Sequence, residues 1–393
     1  MRCRWGCRAV IGAGLVLMIA GGAQAQGSLA RSAASVMDLR VEDAAVLKSR
    51  DALLARGEAL LASGEPAQAI EAFDQAAMML HAGDTEMALV RAYMQGGEYR
   101  RALAFAAHMA GAHVDEPAGS ALYAWLLSVG GQAVYALRQL DEALMRVPDD
   151  AVLLGARLEL SKPAPVARGL LLDAPHRVAP SGVMRDGTDA LPARARVVAT
   201  AVLIEDGRVL LPRNALGKAQ TFWLRNGLGE TVRATRQGDS SALLRASGLA
   251  IARPSAGLSS GVSVQGAPRD PFAGSPGYIV AYGASQEPTP AWPWLHPGFL
   301  GAATGDGVWR RPGIELPAGQ SSGPVFDSAG RLAGIVVPRS EGGAFMLPIS
   351  ALREAIPGSF TSIDAAQGAS LPMDEIYERS LRSTMQVLVA DDL

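Results

Sequence analysis

The chain has 393 residues, of which 49% are hydrophobic and 19% charged, enough for two or three domains with sizeable cores. Its mildly acidic balance, formal net charge −2, argues against a nucleic-acid partner. Both cysteines, Cys3 and Cys7, lie at the very start, so everything after them lacks thiols, disulfides and cysteine metal sites.

The first segment reads as an address. Arg2, Arg4 and Arg8 form a basic leader, Ala9 to Ala20 is a short apolar run, and Ala23-Gln24-Ala25 is a small-residue cleavage site. The pattern predicts a signal peptide over residues 1–25 and export to a bacterial periplasm or beyond. The apolar run is too short to span a bilayer comfortably, so no membrane span is expected after cleavage. Without the leader, 33 basic and 38 acidic residues remain, a net of about −5.

Residues 42–160 are alanine-rich and helical in pattern. Gly64, Gly97 and Gly131 recur at intervals of 33 and 34 residues. A bulky residue stands four before each (Leu60, Tyr93, Leu127), and an alanine five after (Ala69, Ala102, Ala136). Packing residues keep register at Phe73 and Ala76, Ala106 and Met109, Leu140 and Ala143, and Pro148 closes the last unit. This spacing resembles the tetratricopeptide repeat, two antiparallel helices per unit. The resemblance implies a short solenoid with a concave face. In that register the face carries Leu54, Glu58, Leu61, Met87, Arg91, Met94 and Trp125. Two uses stay open: a polypeptide-binding groove with Met87, Arg91, Met94 and Trp125 as contacts, or packing against a nearby helix or a second domain. Pro163, Pro165, Pro175, Pro180 and Pro192 then break any long helix, which predicts an interdomain linker over residues 161–192.

From residue 193 to 357 short strands are expected. The candidates are Val197–Ile204, Val209–Leu211, Thr221–Leu224, Glu230–Thr235, Ala242–Arg245, Gly277–Tyr282, Val308–Leu316 and Phe345–Ile349, with Glu205-Asp206-Gly207 as a hairpin turn. Many short strands between Gly/Pro turns indicate a barrel or sandwich. Trp292, Trp294 and Phe299 sit among prolines, as an aromatic rim or a barrel cap.

The most specific stretch is Gly319-Gln320-Ser321-Ser322-Gly323-Pro324, followed by a hairpin of Pro324–Phe326 and Leu332–Val337. It resembles the nucleophile loop of trypsin-like serine peptidases, Gly-Asp/Asn-Ser-Gly-Gly-Pro. The resemblance implies a double β-barrel, with Ser321 at the nucleophile and the Gly319 and Ser321 amides as an oxyanion hole. A serine needs a histidine to take its proton and an aspartate to orient that histidine. In the matching stretches, Asn214 occupies the histidine position and Ser240 the aspartate position, with Asp239 one residue early. His296 is the one histidine of the barrel region, on the wrong side of the expected strand order. Ser322 replaces a glycine of the pattern. Glu315, six residues before Ser321, falls where the family lines its specificity pocket and would favour a basic side chain. The tail, residues 358–393, reads as a helix running into a strand and resembles the lead-in of secreted trypsin-like domains.

The expected architecture is therefore multidomain α and β, a tetratricopeptide-type solenoid followed by a trypsin-like double β-barrel. The expected function is an exported, catalytically inactive peptidase-like protein that binds polypeptide through its repeats, its vestigial cleft or both. No cofactor and no metal site are read from the sequence. The competing expectation is an active serine endopeptidase with a rebuilt base.

Overall fold

The computed structural model describes residues 29–163, 191–192, 194–238, 241–288, 291–304, 307–338, 343–360 and 369–390. The expected signal peptide and nearly all of the expected linker lie outside the described residues. The chain divides into two units, Met1–Lys48 and Ser49–Leu393. The first is helical over its described residues. Helix α1 (Leu29–Ala62) crosses the division, and its part from Ser49 onward belongs to the second unit.

Six further helices follow: α2 (Pro66–Met79), α3 (Gly83–Gly96), α4 (Tyr99–Ala112), α5 (Pro117–Val129), α6 (Ala133–Arg146) and α7 (Ala151–Leu160). The repeat spacing has a local cause. Gly64, Gly97 and Gly131 all hold positive φ, 81°, 76° and 88°, where a side chain is strained and glycine is not. Each ends a helix in the same way. The next residue's amide reaches back five residues to the bulky position, from Glu65 to Leu60 at 2.9 Å, Glu98 to Tyr93 at 2.7 Å and Gln132 to Leu127 at 2.8 Å. This is the six-to-one bond of a Schellman cap. The alanine five residues on has no exposed surface in any unit, because there the next helix crosses too closely for a larger side chain.

Twelve strands form two closed six-stranded antiparallel barrels. Barrel 1 contains β1 (Arg196–Leu203), β2 (Val209–Pro212), β3 (Thr221–Asn226), β4 (Thr231–Arg236), β5 (Leu249–Pro254) and β12 (Thr384–Val389). Barrel 2 contains β6 (Pro276–Ala281), β7 (Trp294–Ala303), β8 (Arg310–Gly313), β9 (Gly323–Phe326), β10 (Leu332–Pro338) and β11 (Ala344–Pro348). Around barrel 2 the order is β6-β7-β8-β11-β10-β9. Around barrel 1 it is β12-β1-β2-β5-β4-β3. With β12 counted as the first strand, both run first, second, third, sixth, fifth, fourth. Barrel 1 is a copy of barrel 2 whose first strand comes from the far end of the fold.

This corrects the expected boundary at residue 358. The segment after it is no separate tail. Met385, Val387 and Val389 fill the inside of barrel 1, while Leu388 packs outside against Val197 and Trp223. The helix Met373–Ser380 lies against α4. Tyr99 and Tyr377 meet edge to face at 4.5 Å, and both hydroxyls donate to buried carbonyls, of Leu126 at 2.7 Å and Pro293 at 2.8 Å. Arg382 donates to the Gly96 carbonyl at 2.9 Å, and Glu378 accepts from the Arg100 amide at 2.8 Å. One continuous apolar core joins the repeat to the outer faces of the barrels.

Two other expectations fail locally. Residues Ala242–Ala246 form a helix, not a strand. Alanine, leucine and arginine are strong helix formers, and Ser241 caps the turn by accepting from the Leu244 amide at 3.3 Å. The Trp/Pro stretch from Trp294 to Phe299 is part of strand β7, not a rim or cap loop, with Trp292 buried just before it. Pro297 is tolerated there because β7 pairs with β8 only from Phe299 onward, so its missing N–H faces no neighbour on that side.

Candidate functional site

The serine loop joins the end of β8 to β9, at the seam between the barrels. Gly319 takes φ +84° and its carbonyl accepts from the Ala284 amide at 2.8 Å. The Gln320 amide turns back onto the Pro317 carbonyl at 3.0 Å. Among the described residues, the Gly319 and Ser321 amides have no backbone acceptor. Ser321 is exposed while its neighbours Gln320 and Ser322 are buried. Ser322 has a definite task. Its hydroxyl accepts from the Thr200 amide of β1 at 3.3 Å, and the Thr200 hydroxyl accepts from the Tyr282 amide at 2.8 Å. A glycine at 322 would offer no acceptor there, so the departure from the family pattern ties the two barrels together.

The expected partners of Ser321 are placed as follows. Asn214 is exposed on a short 3-10 turn, Arg213–Leu216, directly after β2. Ser240 lies outside the described residues, and so does Asp239. The strand that would open with aspartate is β5, sixth in the barrel order, and it begins at Leu249. Gly248 stands directly before that strand. The Gly248 carbonyl accepts from the Arg213 amide at 2.8 Å, so the start of β5 lies beside the turn that carries Asn214. His296 on β7 bonds Gln320, with Nε2 to Oε1 at 2.6 Å, and no hydrogen bond from it reaches Ser321. Burial lowers its pKa and the Gln320 bond opposes this only in part. Glu315 lies beyond the end of β8, exposed. Cavities of about 480, 380 and 200 Å³ are lined elsewhere, none of them by Ser321.

The expected groove contacts come apart. Met94 has no exposed surface and Trp125 has 2%. The Trp125 ring lies 6.4 Å from that of Trp294 on β7. Of the two uses left open, the structure takes packing against the barrels. Only Met87 and Arg91 remain half-exposed, and Arg91 is ion-paired with Glu58. Sequence reading also passed over a second constellation, His81, Glu86, His108 and His113, brought together where α2, α3 and α4 stack.

Residues 60–126 match the family model of the tetratricopeptide repeat. No curated protein matches the chain. Among solved structures, the chain is similar to the Rv3671c protease in an inactive form, at 16% identity, over 42% of this chain and 87% of that one, with a TM-score of 0.32. It is also similar to Rv3671c from M. tuberculosis H37Rv as a serine-to-alanine mutant, again an inactive form, at 15% identity over 45% and 88%, with a TM-score of 0.32. At such values the barrel assignment rests on the strand order itself. The chain is a tetratricopeptide-type helical repeat followed by a trypsin-like double β-barrel. Among its described residues, no helix is long and apolar enough to cross a membrane.

Proposed function

We propose that this is an exported protein that binds polypeptide in a peptidase-shaped cleft and does not cleave it. The observation that carries this reading is that Asn214 follows β2 and Gly248 precedes β5, the two places where the trypsin-like resemblance implies the base and the acid. Without a base, a triad of this kind loses about six orders of magnitude in turnover. The open amides of Gly319 and Ser321 support a residual oxyanion hole, worth ~10³–10⁴ over water, too little for a working protease. The basic leader and small-residue cleavage site support export to a periplasm. The tetratricopeptide match supports a polypeptide partner, and burial of Trp125 shifts the expected contact from the groove to the exposed loop around Ser321.

Two measurements test the reading. A serine-directed fluorophosphonate should leave the protein unlabelled, and stoichiometric labelling lost in Ser321→Ala would overturn inactivity. For binding, the chain after its leader has no cysteine, so Ser321→Cys and Met87→Cys each take one thiol-directed photo-crosslinker. Crosslinks to polypeptide are expected from position 321. Crosslinks from position 87 alone would return the partner to the repeat.

A further inference from the structure

Three of the five histidines, far apart in sequence and unused by the cleft, converge on one buried carboxylate. His81 lies in the connection between α2 and α3, Glu86 in the first turn of α3, His108 in the last turn of α4, and His113 just after α4. The Glu86 side chain is only 6% exposed. Its Oε1 lies 3.3 Å from His81 Nδ1 and 3.3 Å from His108 Nε2, and its Oε2 lies 3.6 Å from His113 Nε2. His81 and His108 approach each other at 3.4 Å between their Nε2 atoms. One ligand atom from each of the four residues falls within 4.8 Å of all the others.

These separations are too long for strong hydrogen bonds, which run about 2.7–3.2 Å from nitrogen to oxygen. They bring four donors around one centre, though His81 meets Glu86 and His108 through different ring nitrogens and the single-donor set closes only to within 4.8 Å, so small side-chain rotations would complete it. Four donors at about 2.0–2.1 Å from a zinc ion in tetrahedral array stand about 3.3 Å apart. The cluster is also unsatisfied as it stands. Glu86 Oε2 and His113 Nε2 are buried without a hydrogen-bond partner, and burying an unpaired carboxylate oxygen is strongly unfavourable. On its other side, His113 Nδ1 lies 4.0 Å from the Glu116 carboxylate, too far for the hydrogen bond by which an outer carboxylate orients a ligating ring. Access is open: His81 and His108 are more than half exposed and line a cavity of about 380 Å³ with Glu86, Leu89 and Phe105.

We propose that His81, Glu86, His108 and His113 form a binding site for a divalent transition-metal cation, zinc first. Three imidazoles and one carboxylate exclude calcium and magnesium, which take oxygen ligands, and suit zinc, cobalt, nickel and copper. The ion would clip the α2–α3 connection to the end of α4 and hold adjacent repeats in register. The site is independent of the serine loop and stands whether or not the cleft is active.

The test uses the full-length chain without a histidine tag, with Cys3→Ser and Cys7→Ser so that no thiol competes. After chelator stripping, zinc is titrated against a chromogenic chelator. The expected result is one ion per chain, no competition from magnesium, and a tetrahedral visible spectrum with cobalt. His108→Ala should lower zinc affinity by at least about 10–100-fold, the loss typical of even an outer partner, and should abolish the zinc-induced rise in melting temperature. His108 is exposed, so that variant should fold, as circular dichroism checks; His81→Ala, also exposed, is the second variant. No saturable one-to-one binding, or affinity within about 3-fold of the parent in both variants, overturns the proposal.

Discussion

The two barrels trace the same circuit of six strands, yet only barrel 2 is built from a continuous run of chain. Barrel 1 borrows its first strand from residues 384–389, beyond all of barrel 2. A strand's place is therefore set by what its two faces fill, not by when it occurs. Met385, Val387 and Val389 match the interior of barrel 1, and Leu388 matches the patch of Val197 and Trp223 outside. The contrast runs through the candidate site as well. The serine loop stands on the self-contained barrel, and Asn214 and Gly248 stand on the one with the borrowed strand.

The sharpest way to break this comparison is to delete residues 373–393. Four large apolar side chains of β12 leave the core at about 1.5–3 kcal/mol each, against a total stability of about 5–15 kcal/mol. The truncated chain should show no cooperative melting by circular dichroism, and a peptide of residues 371–390 added in trans should restore it. Normal melting of the truncated chain would mean that barrel 1 closes without β12. Next in size, Trp125→Ala should cost about 3–5 kcal/mol in urea unfolding while repeat and barrels still unfold in one transition, because they share a core. A cost below about 1 kcal/mol would separate them. Smaller again, Ser322→Gly leaves the buried Thr200 amide without its acceptor and should cost about 1 kcal/mol, read from the same urea midpoints.

The smallest effect is in pH dependence. Burial holds the His296 pKa below its ordinary value despite the Gln320 bond. Its neutral form thus stabilises the fold above about pH 6.5, and that contribution fades as pH falls toward the folded pKa. His296→Gln should lose less stability than the parent between pH 7.5 and pH 5, measured as urea midpoints. In barrel 1, burial alone would raise Glu230, but four hydrogen bonds from Ser259 and Ser260 outweigh it and hold the carboxyl below its ordinary value. That stability is lost only as pH falls from the ordinary carboxyl value toward the lower folded one, so the Glu230 contribution fades at lower pH than that of His296.

Much of this was legible where local chemistry fixes geometry. The glycines of the repeat had to end helices, and Ala69, Ala102 and Ala136 had to sit at close crossings. The serine loop and its hairpin fell at β9 and β10 as expected. What failed needed distant information. Ala242–Ala246 followed helix propensity once Ser241 capped it. Whether Trp125 served a groove or packing stayed open because Trp294, which covers it, lies on another domain. The histidine cluster carried no ligand spacing: His108 lies on α4 and His113 just past its end, and Glu86 joins them only when α3 stacks on α4.

The borrowed strand also has a consequence in time. Val202 pairs with Thr384, about 180 residues later, a contact separation that slows folding. At ribosomal rates of about 5–20 residues per second, β5 is finished roughly 7–27 s before β12 emerges. Through that interval β1 and β3 are raw sheet edges, open to the wrong neighbour. A chain that ends before residue 384 leaves both edges uncovered, so barrel 1 cannot close until the end of barrel 2 has been made.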